Sequence, residues 1–235
     1  MRVSIIIPVY NEEKTIQRVI EAVRSVDFGF DAEREIIVVD DSSSDNTLEI
    51  LKNISEIEVI RHSKNQGKGA ALKSGFQKSS GDIILVQDAD LEYDPADLPA
   101  LLKPILDGVA DVVVGNRFLG KKSTVVYFRN FIGNKFITFF SNLFTGLKIG
   151  DVEVGYKIFR KEVINSFKDK LESKRFGIEP ELIARIARGK DENGNHWRVK
   201  EVPINYYGRS YEDGKKIGIW DGIKAIFVII YYNIF

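Results

Sequence analysis

A mainly parallel α/β sheet with crossover helices is the fold class this 235-residue sequence predicts, and three observations predict it. Short β-branched runs alternate with helical periodicity through the first half, the pattern of strand-helix-strand units. Several of these runs end in polar residues, placed where ligands gather beyond the carboxyl ends of parallel strands. A hydrophobic content of 44% over this length is enough for a packed core.

The elements follow in chain order. Residues 3–7 (VSIII) read as the first strand; the apolar run stops at Pro8, too soon for a signal peptide. Asn11 reads as an N-cap, and Ile16, Val19, Ile20 and Val23 share one face of a helix of about four turns. Residues 35–39 form a second strand ending in Asp40-Asp41, after which Ser44 or Asp45 caps a helix reaching Asn53. Residues 58–60 are a third strand, followed by a Gly67-Lys68-Gly69 loop and a helix to Lys78. Residues 82–86 are the fourth strand, ending in Gln87-Asp88-Ala89-Asp90; Pro95 opens another helix, and residues 111–114 are the fifth strand.

Composition narrows the function classes. The charged fraction of 29% and the scattered glycines exclude collagen, low-complexity disorder and a disulfide scaffold, and the absence of cysteine removes thiolate nucleophiles and cysteine zinc sites. The net charge of zero hides a split: residues 1–115 hold 12 basic against 21 acidic side chains, a balance of −9, and residues 116–235 hold 22 against 13, a balance of +9. Nucleic acid is not expected among the partners. Seven of the 15 phenylalanines fall between Phe118 and Phe144. Phe136, Phe140, Leu143, Phe144 and Leu147 share a helical face, and a second aromatic, amphipathic segment spans residues 217–232. Two such helices beside basic residues suit the interface of an anionic membrane. The uncharged run 225–235 is too short to span one.

Three clusters carry chemistry. Asp88 and Asp90, at i and i+2 on irregular backbone after a hydrophobic strand, can turn toward one hard cation, and Glu92 extends the oxygen set; oxygen ligands select Mg²⁺ or Mn²⁺ over zinc. Asp40 and Asp41 exceed what a helix cap requires and offer acceptors to a base or ribose. Gly67-Lys68-Gly69 lacks phosphate-loop spacing and signals a tight approach to a helix N-terminus, with Lys68 a candidate substrate contact. His62 and His196 have no ligand-like neighbours and read as structural.

Taken in order, Pro8-Val9-Tyr10-Asn11-Glu12, residues 40–45 (DDSSSD), 65–71, 88–95 (DADLEYDP) and 115–118 (GNRF) resemble family 2 inverting glycosyltransferases of GT-A fold. Asp151 with Gly155-Tyr156-Lys157, residues 176–182 (FGIEPEL), and Tyr207-Gly208-Arg209-Ser210 with Gly214-Lys215-Lys216 resemble the polyprenyl-phosphate branch, typified by dolichyl-phosphate mannose synthase. The resemblance implies a catalytic domain over residues 1–210, with a nucleotide-sugar half to residue 115 and an acceptor half after it. An acceptor loop and amphipathic helix would fill 211–235. It implies that Pro8, Tyr10, Glu12 and one or both of Asp40 and Asp41 hold the nucleoside, and that Asp88, Asp90 and Glu92 hold the metal. Arg117, Arg129 and Arg209, helped by Lys215 or Lys216, would grip the acceptor phosphate. Gly133 departs from the pattern, standing where a small hydroxyl residue is expected.

The reaction implied is metal-dependent inverting transfer of a hexose to dolichyl or polyprenyl phosphate, from GDP-mannose first and UDP-glucose second. A phosphate monoester is already largely ionised at pH 7 and needs positioning and charge neutralisation more than a base, a task that suits bidentate arginine. Glu179 and Glu181 stand where hydroxyl-directed relatives keep a base, and are expected to orient the acceptor. A saccharide-hydroxyl acceptor and a non-catalytic nucleotide-sugar-binding subunit are the alternatives. The expected location is the cytoplasmic face of the cell membrane, held peripherally, with a separate membrane-anchoring partner possible because many relatives append spans.

Overall fold

The computed structural model describes residues 1–120, 123–124, 128–208 and 219–234; of residues 123–124, 128–130 and 219–224 only the backbone is described. Strand β1 (Arg2–Val9) is the buried VSIII run extended at both ends, and α1 (Ile16–Ser25) follows it with Ile16, Val19, Ile20 and Val23 facing the core. Asn11 does not cap that helix. Its φ of 54° turns the chain, and its Oδ1 accepts the Ser44 amide at 2.8 Å, so α1 begins later and is shorter than the sequence predicts. Strand β2 (Glu33–Asp40), helix α2 (Thr47–Lys52), strand β3 (Glu58–Arg61), helix α3 (Lys68–Lys78) and strand β4 (Ile83–Val86) complete the nucleotide-half pattern. Helix α4 (Leu98–Leu106) is preceded by one 3₁₀ turn from Pro95, and Asp94 accepts the Ala96 amide at 3.0 Å. Strand β5 (Val112–Asn116), the two-residue β6 (Ser123–Thr124) and the Phe-rich α5 (Phe128–Thr145) come next. They are followed by β7 (Lys157–Arg160), α6 (Lys161–Phe167), α7 (Ile178–Arg188), β8 (Val199–Pro203), β9 (Tyr206–Tyr207) and α8 (Ile219–Ile234).

The main sheet has the order β3-β2-β1-β4-β7-β5-β8, parallel except for β7, which runs against both neighbours. β6 and β9 pair separately. The register places Val9 beside Asp40, which levels the carboxyl ends of β1 and β2, and Ile6 beside Val86, so β4 stops three residues short of the end of β1 and its loop begins there. Because β7 is reversed, its first residue, Lys157, pairs with Val114 near the carboxyl end of β5. A buried lysine is thus delivered to the same edge as the strand-end aspartates. A main core packs the sheet, a smaller cluster of Ile37, Val39 and Ala71 lies between β2 and α3, and a separate cluster of Ile137, Ala225 and Ile229 joins α5 to α8. No described helix is long and apolar enough to cross a membrane.

Candidate active site

At the nucleotide end, the loops after β1 and β2 are laced together. The Asn11 amide donates to Ser43 Oγ (3.0 Å), the Glu12 amide to Thr47 Oγ1 (2.9 Å), and the Asn46 amide to Glu13 Oε2 (3.0 Å). Glu12 Oε2 accepts the Thr15 hydroxyl at 3.0 Å. The two adjacent aspartates separate in role. Asp41 turns inward: its Oδ2 accepts the Gly67 amide at 2.6 Å, its Oδ1 accepts the Gln66 amide at 2.9 Å, and His62 Nδ1 lies 2.7 Å from Oδ1. His62 in turn meets Ser74 Oγ at 2.9 Å, a structural histidine as expected. Asp40 Oδ1 accepts the Ser43 amide at 3.1 Å, whereas its buried Oδ2 has no hydrogen-bond partner among the described residues and lies 3.7 Å from Arg61 Nε.

Beyond β4, Asp88 enters a buried chain of alternating charge. Lys68, first residue of α3, places Nζ 2.7 Å from Asp88 Oδ1 and 2.9 Å from Glu179 Oε1. Lys157 Nζ lies 2.6 Å from Glu179 Oε2 and also donates to the carbonyls of Val152 and Val154. Burial alone would lower the Lys68 ammonium's pKa, but Asp88 and Glu179 outweigh it and hold it above its ordinary value. Burial likewise opposes ionisation of Glu179, and the two lysines outweigh it and hold its carboxyl low. The loop geometry has local causes. At Gly69 a Cβ would strike the backbone of Ser173, so the Gly67-Lys68-Gly69 loop is small because the segment before α7 crosses it. At Gly155 a Cβ would collide with Asp88 Oδ2.

The expected metal ligands are not gathered as a set. Asp90 Oδ1 accepts the Glu92 amide at 3.1 Å, and Glu92 Oε2 accepts the Tyr206 hydroxyl at 2.9 Å. Among the described residues no three His, Asp or Glu side chains stand ready as a metal cage. The donor set fits another mode, in which one or two carboxylates share a divalent cation with substrate phosphates.

On the acceptor side, Arg117 follows β5. Its Nε and one terminal nitrogen donate to Asp151 at 2.7 and 2.8 Å, a bidentate pair, while Asn134 Nδ2 holds the same carboxylate at 3.1 Å. Burial works against the Arg117 charge, and Asp151 outweighs it. The guanidinium lies 5.1 Å from the centre of the Tyr206 ring. Glu181 serves the fold: it accepts the amides of Glu172 and Ser173 and pairs with Arg185 at 3.2 Å. Beside these, Glu153 has an Oε1 shut from water with no hydrogen-bond partner among the described residues. Burial first, and then the charge of Glu179, push its carboxyl up to about 7.

The model for "Glycosyl transferase family 2" matches residues 4–167. This chain belongs to that family. It is 31% identical to a dolichol-phosphate mannosyltransferase of Pyrococcus furiosus over 97% of its own length and 63% of that relative's, so it spans less than two thirds of that protein. It is 27% identical to a UDP-N-acetylglucosamine--dolichyl-phosphate N-acetylglucosaminyltransferase of Methanococcus voltae, covering 97% of this chain and 94% of the relative. A crystal structure of Mycobacterium tuberculosis glucosyl-3-phosphoglycerate synthase superposes with a TM-score of 0.71 at 21% identity, covering 98% of this chain and 80% of that one. At that identity the likeness bears on the fold, a GT-A-like sheet flanked by helices.

Within this family 2 transferase, the structure brings Asp88, Lys68 and Glu179 together and pairs Arg117 with Asp151. Arg209, Lys215 and Lys216 lie outside the described residues, and of Arg129 only the backbone, near the start of α5, is described. Two residues beside the candidate site had no role assigned from sequence. Lys157 carried a signal, as the residue after Gly155-Tyr156; Glu153 carried a fainter one, a lone carboxyl between two fully buried valines.

Proposed function

We propose that this transferase moves a hexose, with inversion, from a nucleotide diphosphate sugar to a polyprenyl or dolichyl phosphate at a membrane surface. Acceptor names among the relatives support that substrate class. The observation that carries the reading is the state of Glu179 and Glu181. A hydroxyl acceptor needs a free carboxylate base. Glu179 is pinned between Lys68 and Lys157, and Glu181 is consumed by two backbone amides and Arg185. An acceptor that arrives ionised requires neither.

In the proposed reaction an acceptor phosphate oxygen forms a bond to the anomeric carbon from the face opposite the leaving group. The bond from that carbon to the diphosphate oxygen breaks, and its electron pair leaves with the nucleoside diphosphate. Arg117, held in place and kept charged by Asp151, orients the incoming phosphate, with Arg129, Arg209, Lys215 and Lys216 as further proposed contacts. Pro8, Tyr10, Glu12 and Asp40 cradle the nucleoside, Asp40 and not Asp41 being the one with a carboxylate oxygen that lacks a hydrogen-bond partner among the described residues. Lys68 stands beside the diphosphate through Asp88. A divalent cation, Mg²⁺ or Mn²⁺, held by Asp88 and Asp90 would neutralise charge on the departing diphosphate. A structural neighbour binds Mn²⁺ with UDP, which supports the cation by analogy of fold.

Membrane association is supported by α5, whose amphipathicity is inverted: Asn134, Thr138 and Ser141 are buried while Phe136, Phe139 and Leu143 are exposed. A saccharide-hydroxyl acceptor is the second reading, favoured by the raised carboxyl of Glu153, which has the acid strength of a general base. The deciding experiment offers GDP-mannose, UDP-glucose and UDP-N-acetylglucosamine with a short polyprenyl phosphate and Mg²⁺ or Mn²⁺, following nucleoside diphosphate release. Release that depends on the lipid phosphate is expected with one donor; release only with saccharide acceptors would overturn the assignment.

A further inference from the structure

Glu153 is the unmatched group of the acceptor side. Among the described residues, four charged side chains act on its carboxyl: Glu179 on α7, Lys157 on β7, Arg117 after β5 and Asp151 after α5. These four are already matched in two ion pairs, Arg117 with Asp151 and Lys157 with Glu179. An ionised Glu153, its Oε1 shut from water, would add a third anion with no cation of its own among the described residues. A protonated Glu153 has an O–H to give, and its Oε1 finds no partner among the described residues. Buried polar groups left without a partner in the protein call for a ligand or an ordered water. A group that accepts a hydrogen bond here and also benefits from Arg117 nearby is an anionic oxygen.

We propose that Glu153 keeps its proton and donates it in a hydrogen bond to an oxygen of the acceptor phosphate, making it a binding residue that selects phosphate over hydroxyl. The inference rests on the phosphate-acceptor reading and deepens it. Arg117 supplies charge; Glu153 supplies a neutral donor where another carboxylate would repel. Its raised carboxyl agrees with this, and a phosphate dianion alongside pushes the carboxyl higher still, so proton retention and phosphate binding reinforce each other. The pH consequence follows in sign. Below about pH 6 the phosphate gains its second proton and loses charge. As pH rises through about 7, Glu153 loses its proton and repels the acceptor. Acceptor use therefore peaks between these limits, and its alkaline fall belongs to KM for the acceptor and not to the donor.

The test compares the wild type with Glu153→Gln, which keeps the shape and a hydrogen-bond donor but cannot ionise. Two quantities are measured from about pH 6 to about pH 9: kcat/KM for a short polyprenyl monophosphate, and its affinity by calorimetry in the absence of donor. In the wild type, affinity is expected to fall roughly tenfold per pH unit above the Glu153 transition. The variant is expected to stay within about threefold of wild type near pH 6.5, where a bond to the same phosphate is retained, and to lose the alkaline fall. An unchanged fall in the variant would show that Glu153 does not touch the acceptor. A loss of about a hundredfold or more at every pH would make it a general base and overturn the proposal in favour of a hydroxyl acceptor. Failure of the underlying reading looks different: the wild type itself binds no polyprenyl phosphate at any pH.

Discussion

Asp40 and Asp41 show how neighbours in sequence diverge once the backbone turns. Ser42 takes a φ of 64°, and the chain reverses so that Asp41 caps the loop before α3 while Asp40 stays at the strand end. Asp41 accepts from two amides and meets His62, so its carboxylate replaces water for three partners in a buried place. Removing a buried charged acceptor of this kind costs about 3 kcal/mol, and in a chain of this size each kcal/mol lowers Tm by about 2–4 °C. Asp41→Ala is therefore expected to lower Tm by several degrees and to weaken nucleotide binding only through the fold. Asp40→Asn keeps the Oδ1 acceptor for Ser43, so it should leave Tm close to wild type while weakening UDP or GDP binding. Calorimetric unfolding beside nucleotide titration separates them, and the reverse pattern would exchange their roles. The adjacent pair was legible from sequence as more than a helix cap; which aspartate the fold commits to its own backbone was not, because it hangs on a turn with a positive φ at Ser42 that no residue-type preference dictates.

At the scale of elements, legibility followed local strength. β1 through β5 are short β-branched runs with polar ends, and they stand where the sequence places them. β7 did not announce itself, since Lys157-Ile158-Phe159-Arg160 begins with a charge that only tertiary structure buries. Its antiparallel insertion between β4 and β5 is what carries Lys157 to the site. The amphipathic segments emerged as α5 and α8, but the Phe stripe divides: Phe136, Leu143 and Phe144 are exposed, while Phe140 and Leu147 are only partly so. Exposure of Phe139 at 62%, Leu143 at 67% and Phe227 at 69% leaves large apolar groups in water on helices whose other faces are packed. Burying each such side chain in a lipid interface is worth about 1.5–3 kcal/mol at full burial. Changing Phe139, Leu143 and Phe227 together to Ser should cut the fraction floating with anionic vesicles at least tenfold while leaving Tm within a few degrees, since none of the three supports the core. Undiminished flotation would assign membrane contact to another surface.

For the whole molecule, the split of −9 and +9 along the chain meets at the strand ends among the described residues. The halves trade charges at the strand ends. Lys68 from the acidic half lies between its own Asp88 and Glu179 of the basic half, while Arg117 is matched within the basic half by Asp151. What the acidic half keeps at β4 is Asp88, already sharing Lys68, and Asp90, with Glu92 turned to Tyr206. Such a set is short of oxygen for a hard cation, which takes six or more ligands and readily accepts them from a diphosphate. Cation and nucleotide should therefore bind as a unit. Titrating Mn²⁺ with and without UDP or GDP, the preferred nucleotide is expected to tighten the metal at least about tenfold, about 1.4 kcal/mol of coupling, and Mn²⁺ should tighten that nucleotide by the same factor. Asp88→Asn should abolish the coupling while residual nucleotide binding through the β1 and β2 loops survives. Tight Mn²⁺ binding to the protein alone, undisturbed by nucleotide, would mean that the carboxylates form a complete cage after all.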